Sequence, residues 1–515
     1  MHTIPLPHPF FCRQTTKGLE LLDKAIQQAP SLIELFTTRA RLLKHAGDYE
    51  GAAHLAETAR RMDLSDRYLN SIAVKALFAA GKPEEAAKTA ALFTKDGEQL
   101  SLLHDMQHMW YEYAAGTAYL KREEWGKALK QFTHVISHFK DIEEDQFDFH
   151  NYCMRKTTLR AYVETLRMED RLFGHPFYAR AAQGAITAYL ALHDAPSSTQ
   201  TEANEEALMA GMSSEDRKKY KLKKKKEEKQ KSKEEEEARS TAAASKDQAS
   251  KPGDKGKKGE KKEADPDPDG AKLASTPEPL EEASKLVASL KEHAAGLLET
   301  QLLALQVYLR KGKMLLALSA AQRAAANAGP QHPQVHLAIV RFCSRAQSHP
   351  APDMPAPHPE VASLIKTGQE KLLGSKHATS VKAYNDEWLA THCQDNSSRG
   401  DTLAVRQAGA EALLVLAGAG QVPLADAKVQ AAKLLTSAAP LSGVVTKRRH
   451  EQCVAVTKLL EEDIADTAAA KRWREACSQA FPFSRFFGGS RIVELEPGLL
   501  DMTNMTKAFG YLSFQ

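Results

Sequence analysis

An all-α solenoid of paired helices is the fold class this sequence predicts, and three observations predict it. Gly18, Ala52 and Ala86 recur at intervals of 34 residues, the period of the tetratricopeptide helical hairpin. Aromatic residues make up only 7% of the chain while alanine is plentiful, which suits helices packed closely on helices rather than a sheet. Apolar residues also recur at helical spacing, as in Leu286, Leu290, Leu297, Leu302 and Leu305.

With 515 residues and 42% apolar side chains, the chain can bury a core or carry a long repeat array. A net charge of +4 says little about partners; the distribution of charge says more. Cys12, Cys153, Cys343, Cys393, Cys453 and Cys477 lie far apart with no Cys-x-x-Cys pair. That spacing argues against a zinc ribbon or a disulfide framework and for reduced thiols. The start lacks the basic and apolar run of a signal peptide, and the most apolar stretch, 413–420, is too short for a bilayer. A cytoplasmic protein with no membrane partner is expected.

Along the chain, residues 1–15 read as irregular. Gly18, Leu22, Ala25 and Pro30 fit the second helix of a repeat, whose first helix would occupy the residues before about 14, where Pro5, Pro7 and Pro9 stand. The chain is therefore expected to open on half a repeat, as a fragment or short form of a longer subunit. The array then runs over 16–194. Around Ala52 sit Gly47, Tyr49, Ala56 and Ala59; around Ala86 sit Gly81, Ala90 and Phe93. The pattern returns at Ala128 with Gly116, Tyr119, Trp125 and Phe132, and at Ala317 with Tyr308, Gly312, Ala321, Ala324 and Pro330. Small residues at these places let one helix lie close against its neighbours.

Residues 195–279 lack any apolar period and read as a charged low-complexity linker. Its basic run includes Lys218, Lys219, Lys221, Lys223, Lys224, Lys225 and Lys226, with eleven Lys and Arg against two Glu between Arg217 and Lys233. Such a run either solvates a spacer or tracks a phosphate backbone without reading bases. Helical repeats resume over 280–348, a proline-rich break follows at 349–359, and further helix pairs fill 360–482. Residues 483–515 read as an irregular tail.

The most distinctive stretch is Asp145-Gln-Phe-Asp-Phe-His-x-Tyr-Cys-Met-Arg-Lys-x-Thr-Leu-Arg-x-Tyr-Val163. The spacing of Tyr152, Lys156, Leu159, Tyr162 and Val163 predicts one buried helix with a basic flank. The residues themselves, among them Phe147, Phe149, Tyr152, Arg155, Lys156 and Arg160, resemble the auxiliary subunit of N-terminal acetyltransferase A. Met106-Gln-x-Met109-Trp110, His175-Pro-Phe-Tyr178 and Tyr189-Leu-x-Leu-His-Asp194 resemble the same family in the same order, and Cys477-Ser-x-Ala-Phe-Pro-Phe483 resembles its closing element. The likeness covers about 30–200 and 275–345.

The resemblance implies a noncatalytic solenoid that wraps and activates a small catalytic acetyltransferase subunit and anchors it to the ribosome for cotranslational N-terminal acetylation. Acetyl-coenzyme A would belong to that partner, with no cofactor on this chain. Inositol hexakisphosphate is an implied ligand at the subunit interface, with Arg67 and Lys75 on a suitable helix. A second acetyltransferase subunit and a small regulatory subunit are implied partners. The basic linker looks like the family's element facing ribosomal RNA. A generic tetratricopeptide adaptor and an RNA-associated protein are the rival readings.

No chemistry of the chain's own is expected. A coenzyme loop of the common acetyltransferase fold needs Gln/Arg-x-x-Gly-x-Gly/Ala after a strand. Val415-Leu-Ala-Gly418-Ala-Gly420 lacks the first residue, Arg406-Gln-Ala-Gly409-Ala-Glu411 ends in a charge, and both lie in alanine-rich helical sequence. The pairs His104/His108, His134/His138 and His332/His336 could share a helix face as zinc ligands do, but none has the His-Glu-x-x-His form and no Cys completes a set. They are expected to be packing or surface histidines. No catalytic, cofactor or metal residue is assigned.

Overall fold

The computed structural model describes residues 15–94, 101–195, 267–347, 358–377, 380–393, 402–437 and 447–489. The described residues form helices and turns with no strand. The first half holds α1 (Thr15–Gln28), α2 (Ile33–Ala46), α3 (Tyr49–Met62), α4 (Arg67–Ala79), α5 (Pro83–Ala91), α6 (Ser101–Asp105), α7 (Met109–Lys121), α8 (Trp125–Glu144), α9 (Gln146–Lys156), α10 (Leu159–Glu169) and α11 (Pro176–Asp194). After the linker come α12 (Ala271–Ala274), α13 (Pro279–His293), α14 (Leu298–Arg310), α15 (Met314–Ala328), α16 (Pro333–Gln347), α17 (Pro359–Leu373) and α18 (Val381–His392). The last group is α19 (Thr402–Gly418), α20 (Leu424–Thr436), α21 (Lys447–Lys458) and α22 (Thr467–Ala480). No helix among the described residues is long and apolar enough to cross a membrane.

The 34-residue period has a structural meaning. Gly18, Ala52, Ala86, Ala128 and Ala317 are each the fourth residue of α1, α3, α5, α8 and α15. The four alanines are at most 2% exposed and Gly18 is buried as well. At that place a side chain larger than a methyl would push the paired helices apart. Helices α2 and α3, α4 and α5, α7 and α8, and α14 and α15 form the pairs.

The glycines two residues before each second helix do a different job from the one expected of them. Gly47, Gly81 and Gly312 have φ of +89°, +73° and +66°, the left-handed conformation that ends one helix and turns the chain into the next. At Gly81 nothing lies within 4 Å of where a Cβ would stand, so the turn, not helix contact, requires it. In the α7–α8 pair the same place is held by Glu123, with φ +61°. Gly116 has a different task. It lies inside α7, where an added Cβ would come within 2.7 Å of Phe132.

Capping explains the other boundaries. Asp48 opens α3 by accepting from the Gly51 N–H at 2.8 Å, and Asp66 opens α4 by accepting from the Tyr68 N–H at 2.7 Å. Pro83, Pro279 and Pro359 stand at first-turn positions, where the missing N–H has no helical partner to lose.

Residues Ala191–Pro268 separate as a unit of their own, of which only 191–195 and 267–268 are described, so the basic run lies outside the described residues. The array does not end at that insertion. Gly126 at the start of α8 meets the backbone of Asp269 and Gly270, and α13 packs on the short turn Leu172–Gly174 before α11. Tyr178 and Ser289 share a hydrogen bond of 2.7 Å.

Of the tail read as irregular from 483, the described residues 483–489 hold one 3₁₀ turn, Arg485–Phe487, and are packed against the array. Phe483 is 7% exposed and joins the core of the first helices. Ser484 is fully buried and exchanges a 2.6 Å hydrogen bond with His450 on α21. The His450 ring lies over Gly47, and its other nitrogen faces the Tyr49 hydroxyl at 3.3 Å. Arg485 pairs with Glu50. The last described segment thus closes against α2 and α3 through a buried histidine.

Candidate interaction surfaces

The stretch 145–163 is not one buried helix. It breaks after Lys156, where Thr157 takes an extended conformation (φ −114°, ψ 162°) and donates through its hydroxyl to the Cys153 carbonyl at 2.7 Å. Thr158 then caps α10 by accepting from the Ala161 N–H at 3.3 Å. Two adjacent β-branched hydroxyl residues that bond to nearby backbone end one helix and start the next. The hairpin is tied by His150, which meets the Tyr162 hydroxyl at 3.1 Å and Glu169 at 3.4 Å.

Nor does the apolar face point inward. Cys153 is buried, but Tyr152, Met154, Leu159 and Met168 are 56%, 66%, 77% and 51% exposed. Arg155, Lys156 and Arg160 are exposed beside them, with Arg160 3.3 Å from Glu164. The side chains of Phe147 and Phe149 lie outside the described ones. Large apolar side chains left exposed beside basic ones are available for contact with another molecule. Helical spacing reports that a face exists; it does not report which way the face looks.

A groove of about 1350 Å³ lies among α7, α11, α14, α16 and α19. Its walls carry Thr117, Arg180, Gln183 and Gln306, and Arg341 and Glu411 pair across it at 3.1 Å. Amides and hydroxyls of this kind suit hydrogen bonding to an extended backbone. The glycines weighed as coenzyme loops lie in and at the end of α19, outside the groove lining. Gly409 is inside α19, where an added Cβ would come within 2.6 Å of Leu389, and Gly418 is the last residue of the same helix.

The histidine pairs do not stay together as pairs. His336 is fully buried, stacked on Trp388 at 4.0 Å and bonded to Asn385 at 2.9 Å. His332 turns its Nδ1 to the Gln334 N–H. His104 and His138, from different pairs, converge instead on Glu112. His104 Nδ1 lies 2.5 Å and His138 Nε2 2.9 Å from the Glu112 carboxylate. The carboxylate is fully buried. Burial acts to raise its pKa, but the hydrogen bonds from both histidines outweigh that and hold it below the ordinary value. Single-sequence spacing missed the trio because its members come from α6, α7 and α8.

Arg67 and Lys75 are both exposed on α4, eight residues apart, hence roughly 12 Å along the axis. Arg67 lies over Phe93 at 5.8 Å and Lys75 over Trp110 at 4.7 Å. Tyr308 is 8% exposed on α14, and Tyr119 on α7 is half-buried under Lys127.

Helical hairpins in fixed register, a polar groove and an outward apolar hairpin define a repeat scaffold. A family profile described as "N-terminal acetyltransferase A, auxiliary subunit" matches residues 8–324, and the chain belongs to that family. It is 41% identical over 468 residues to the N-terminal acetyltransferase A complex auxiliary subunit NAA15 of Arabidopsis thaliana, covering 91% of this chain and 50% of that protein. The human N-alpha-acetyltransferase 16, NatA auxiliary subunit, is 35% identical, with 92% of this chain and 52% of the relative covered. The chain thus spans about half the length of the curated relatives it matches. A solved structure of Naa15/Naa10 bound to HypK-THB superposes with a TM-score of 0.53 at 30% identity, covering 70% of this chain and 44% of that one.

Proposed function

We propose that this chain is a noncatalytic scaffold of an N-terminal acetyltransferase A assembly, which binds a catalytic acetyltransferase subunit and activates it. The observation that carries this reading is the α9–α10 hairpin. Within the stretch that resembles the family, Tyr152, Met154, Leu159 and the basic border are exposed, as expected where a partner rather than the core uses them. Acetyl-coenzyme A stays with that partner. An inositol polyphosphate at the interface would find Arg67 and Lys75 exposed on one helix. Further acetyltransferase and regulatory subunits have the rest of the solenoid surface available. The setting proposed is the cytoplasm.

A second role, ribosome anchoring, rests on the basic run in the sequence. If Lys218, Lys219, Lys221 and Lys223 to Lys226 grip RNA, Lys223→Glu, Lys224→Glu, Lys225→Glu and Lys226→Glu together abolish ribosome cosedimentation. Engagement of roughly six phosphates also gives a log–log salt slope of about −4 to −5. Equal cosedimentation of the two proteins across a salt series leaves the lysines as solubilising charge.

Acetyl transfer to a Ser- or Ala-starting peptide tests the main reading. The purified chain alone transfers nothing, and adding it to the catalytic subunit raises or redirects that subunit's activity. Transfer by the chain alone, at a rate comparable to the mixture, overturns the scaffold role.

A further inference from the structure

We propose that His104, Glu112 and His138 form a binding site for a divalent transition-metal ion of the Zn²⁺ class, a property independent of the scaffold role. Their nitrogen and oxygen donors all lie within 4.8 Å of one another. Two imidazoles and one carboxylate are a donor set suited to Zn²⁺ or Co²⁺ and ill suited to Mg²⁺ or Ca²⁺, which prefer oxygen alone.

The geometry needs little adjustment. Metal bonds of about 2.0–2.1 Å in a tetrahedron put ligand atoms roughly 3.3 Å apart. The present separations are 2.5 Å for His104 to Glu112 and 2.9 Å for His138 to Glu112, so each imidazole retreats from the carboxylate by less than about 1 Å while the two imidazole donors, within 4.8 Å of each other, settle toward the same spacing. His104 is on the short helix α6 and its side chain is 28% exposed, which leaves it room to move and gives an ion a way in. Glu112 and His138 are held on the α7–α8 hairpin and are almost wholly buried.

The surroundings also favour coordination. Each imidazole binds the ion through the nitrogen that now faces Glu112, so its proton must sit on the other nitrogen. For His138 that other nitrogen, Nδ1, has the Asp141 carboxylate 3.8 Å away, where a small rotation makes the outer carboxylate contact that orients many metal-bound histidines. His134 lies one turn before His138 on α8, and its ring centroid is 3.7 Å from that of His104. It lines the site without joining the donor trio. One carboxylate against a divalent ion leaves a single positive charge and an open coordination position. The ion would fasten α6 to the α7–α8 pair.

The test uses the full chain stripped with a chelator and titrated with Co²⁺, followed by visible absorption and by metal analysis after dialysis. One Co²⁺ per chain is expected, with the absorption of a four- or five-coordinate ion, displaced by Zn²⁺. His104→Ala is the informative variant, because its side chain is partly exposed and the Glu112–His138 contact survives. It should weaken binding by more than about 100-fold, since loss of an outer-shell partner alone costs 10–100-fold. Glu112→Gln should do the same, and His108→Ala should bind as the parent does. Zn²⁺ should raise the thermal midpoint of the parent and not of His104→Ala. No stoichiometric Co²⁺ in the parent, or equal binding by His104→Ala, overturns the site and leaves the trio as a hydrogen-bonded network.

Discussion

The repeat pairs α2 to α8 and the hairpin α9–α10 turn their apolar side chains in opposite directions. In the pairs, small residues face inward: Ala52, Ala86 and Ala128 are buried, and Phe132 fills the space beside Gly116 and Gly184. In the hairpin, α10 has no buried residue and α9 buries Cys153 among its described side chains. The first region spends its apolar surface on itself, and the second leaves it exposed. Stability and recognition are therefore separable, and substitution can pull them apart.

The largest effect is expected in the array. Phe132→Ala removes a 1% exposed ring wedged between two glycines and should cost about 3–5 kcal/mol. Gly116→Leu drives the same helices apart for about 1–3 kcal/mol. Denaturant unfolding reads both, and a change below about 0.5 kcal/mol in either would mean that α7 and α8 pack otherwise than described.

Acid should loosen the molecule through two buried histidines. Burial is the main cause that pushes His336 and His450 down to about 4 from 6.5. Above 6.5 both are neutral, folded or unfolded, and their contribution is fully present. Below 6.5 the unfolded chain takes up protons that the folded one refuses, so stability falls as pH drops toward 4. The limiting loss is about 3 kcal/mol for each. Thermal midpoints between pH 7.5 and 5 should fall, and His450→Gln should flatten the fall. A midpoint that is flat over this range would place His450 in solvent rather than between Gly47 and Ser484.

A smaller gain is expected at Glu123, an exposed side chain in the left-handed conformation its sister repeats give to Gly47 and Gly81. Glu123→Gly should stabilise by about 1 kcal/mol by relieving that conformation. Destabilisation would show that the turn relies on the glutamate side chain.

These contrasts also explain what the sequence discloses. Period and residue type locate the buried alanines, because the helix-to-helix contact at the fourth residue of α3, α5, α8 and α15 is repeated and short-range. The turn role of Gly47 and the packing role of Gly116 were less easily told apart, since a glycine looks alike whether φ or space requires it. Glu123, five residues before Ala128, takes the turn place that Gly47 and Gly81 hold before Ala52 and Ala86. The outward direction of Tyr152 and Leu159 was illegible, because periodicity cannot tell a core from a missing partner. The His104–Glu112–His138 trio and the closure of Ser484 on His450 depend on residues far apart in the chain, or on three separate helices. Spacing has no access to either.

The central claim, that α9–α10 is kept for a partner, is tested most directly by the double variant Met154→Asp, Leu159→Asp, compared with the parent in both unfolding and capture of the catalytic subunit. Both side chains are more than 60% exposed, so unfolding should change by no more than about 0.5 kcal/mol. Capture should be lost, because two charges would be buried unpaired in the interface. Full capture by the variant, or unfolding several kcal/mol easier, would contradict the outward hairpin.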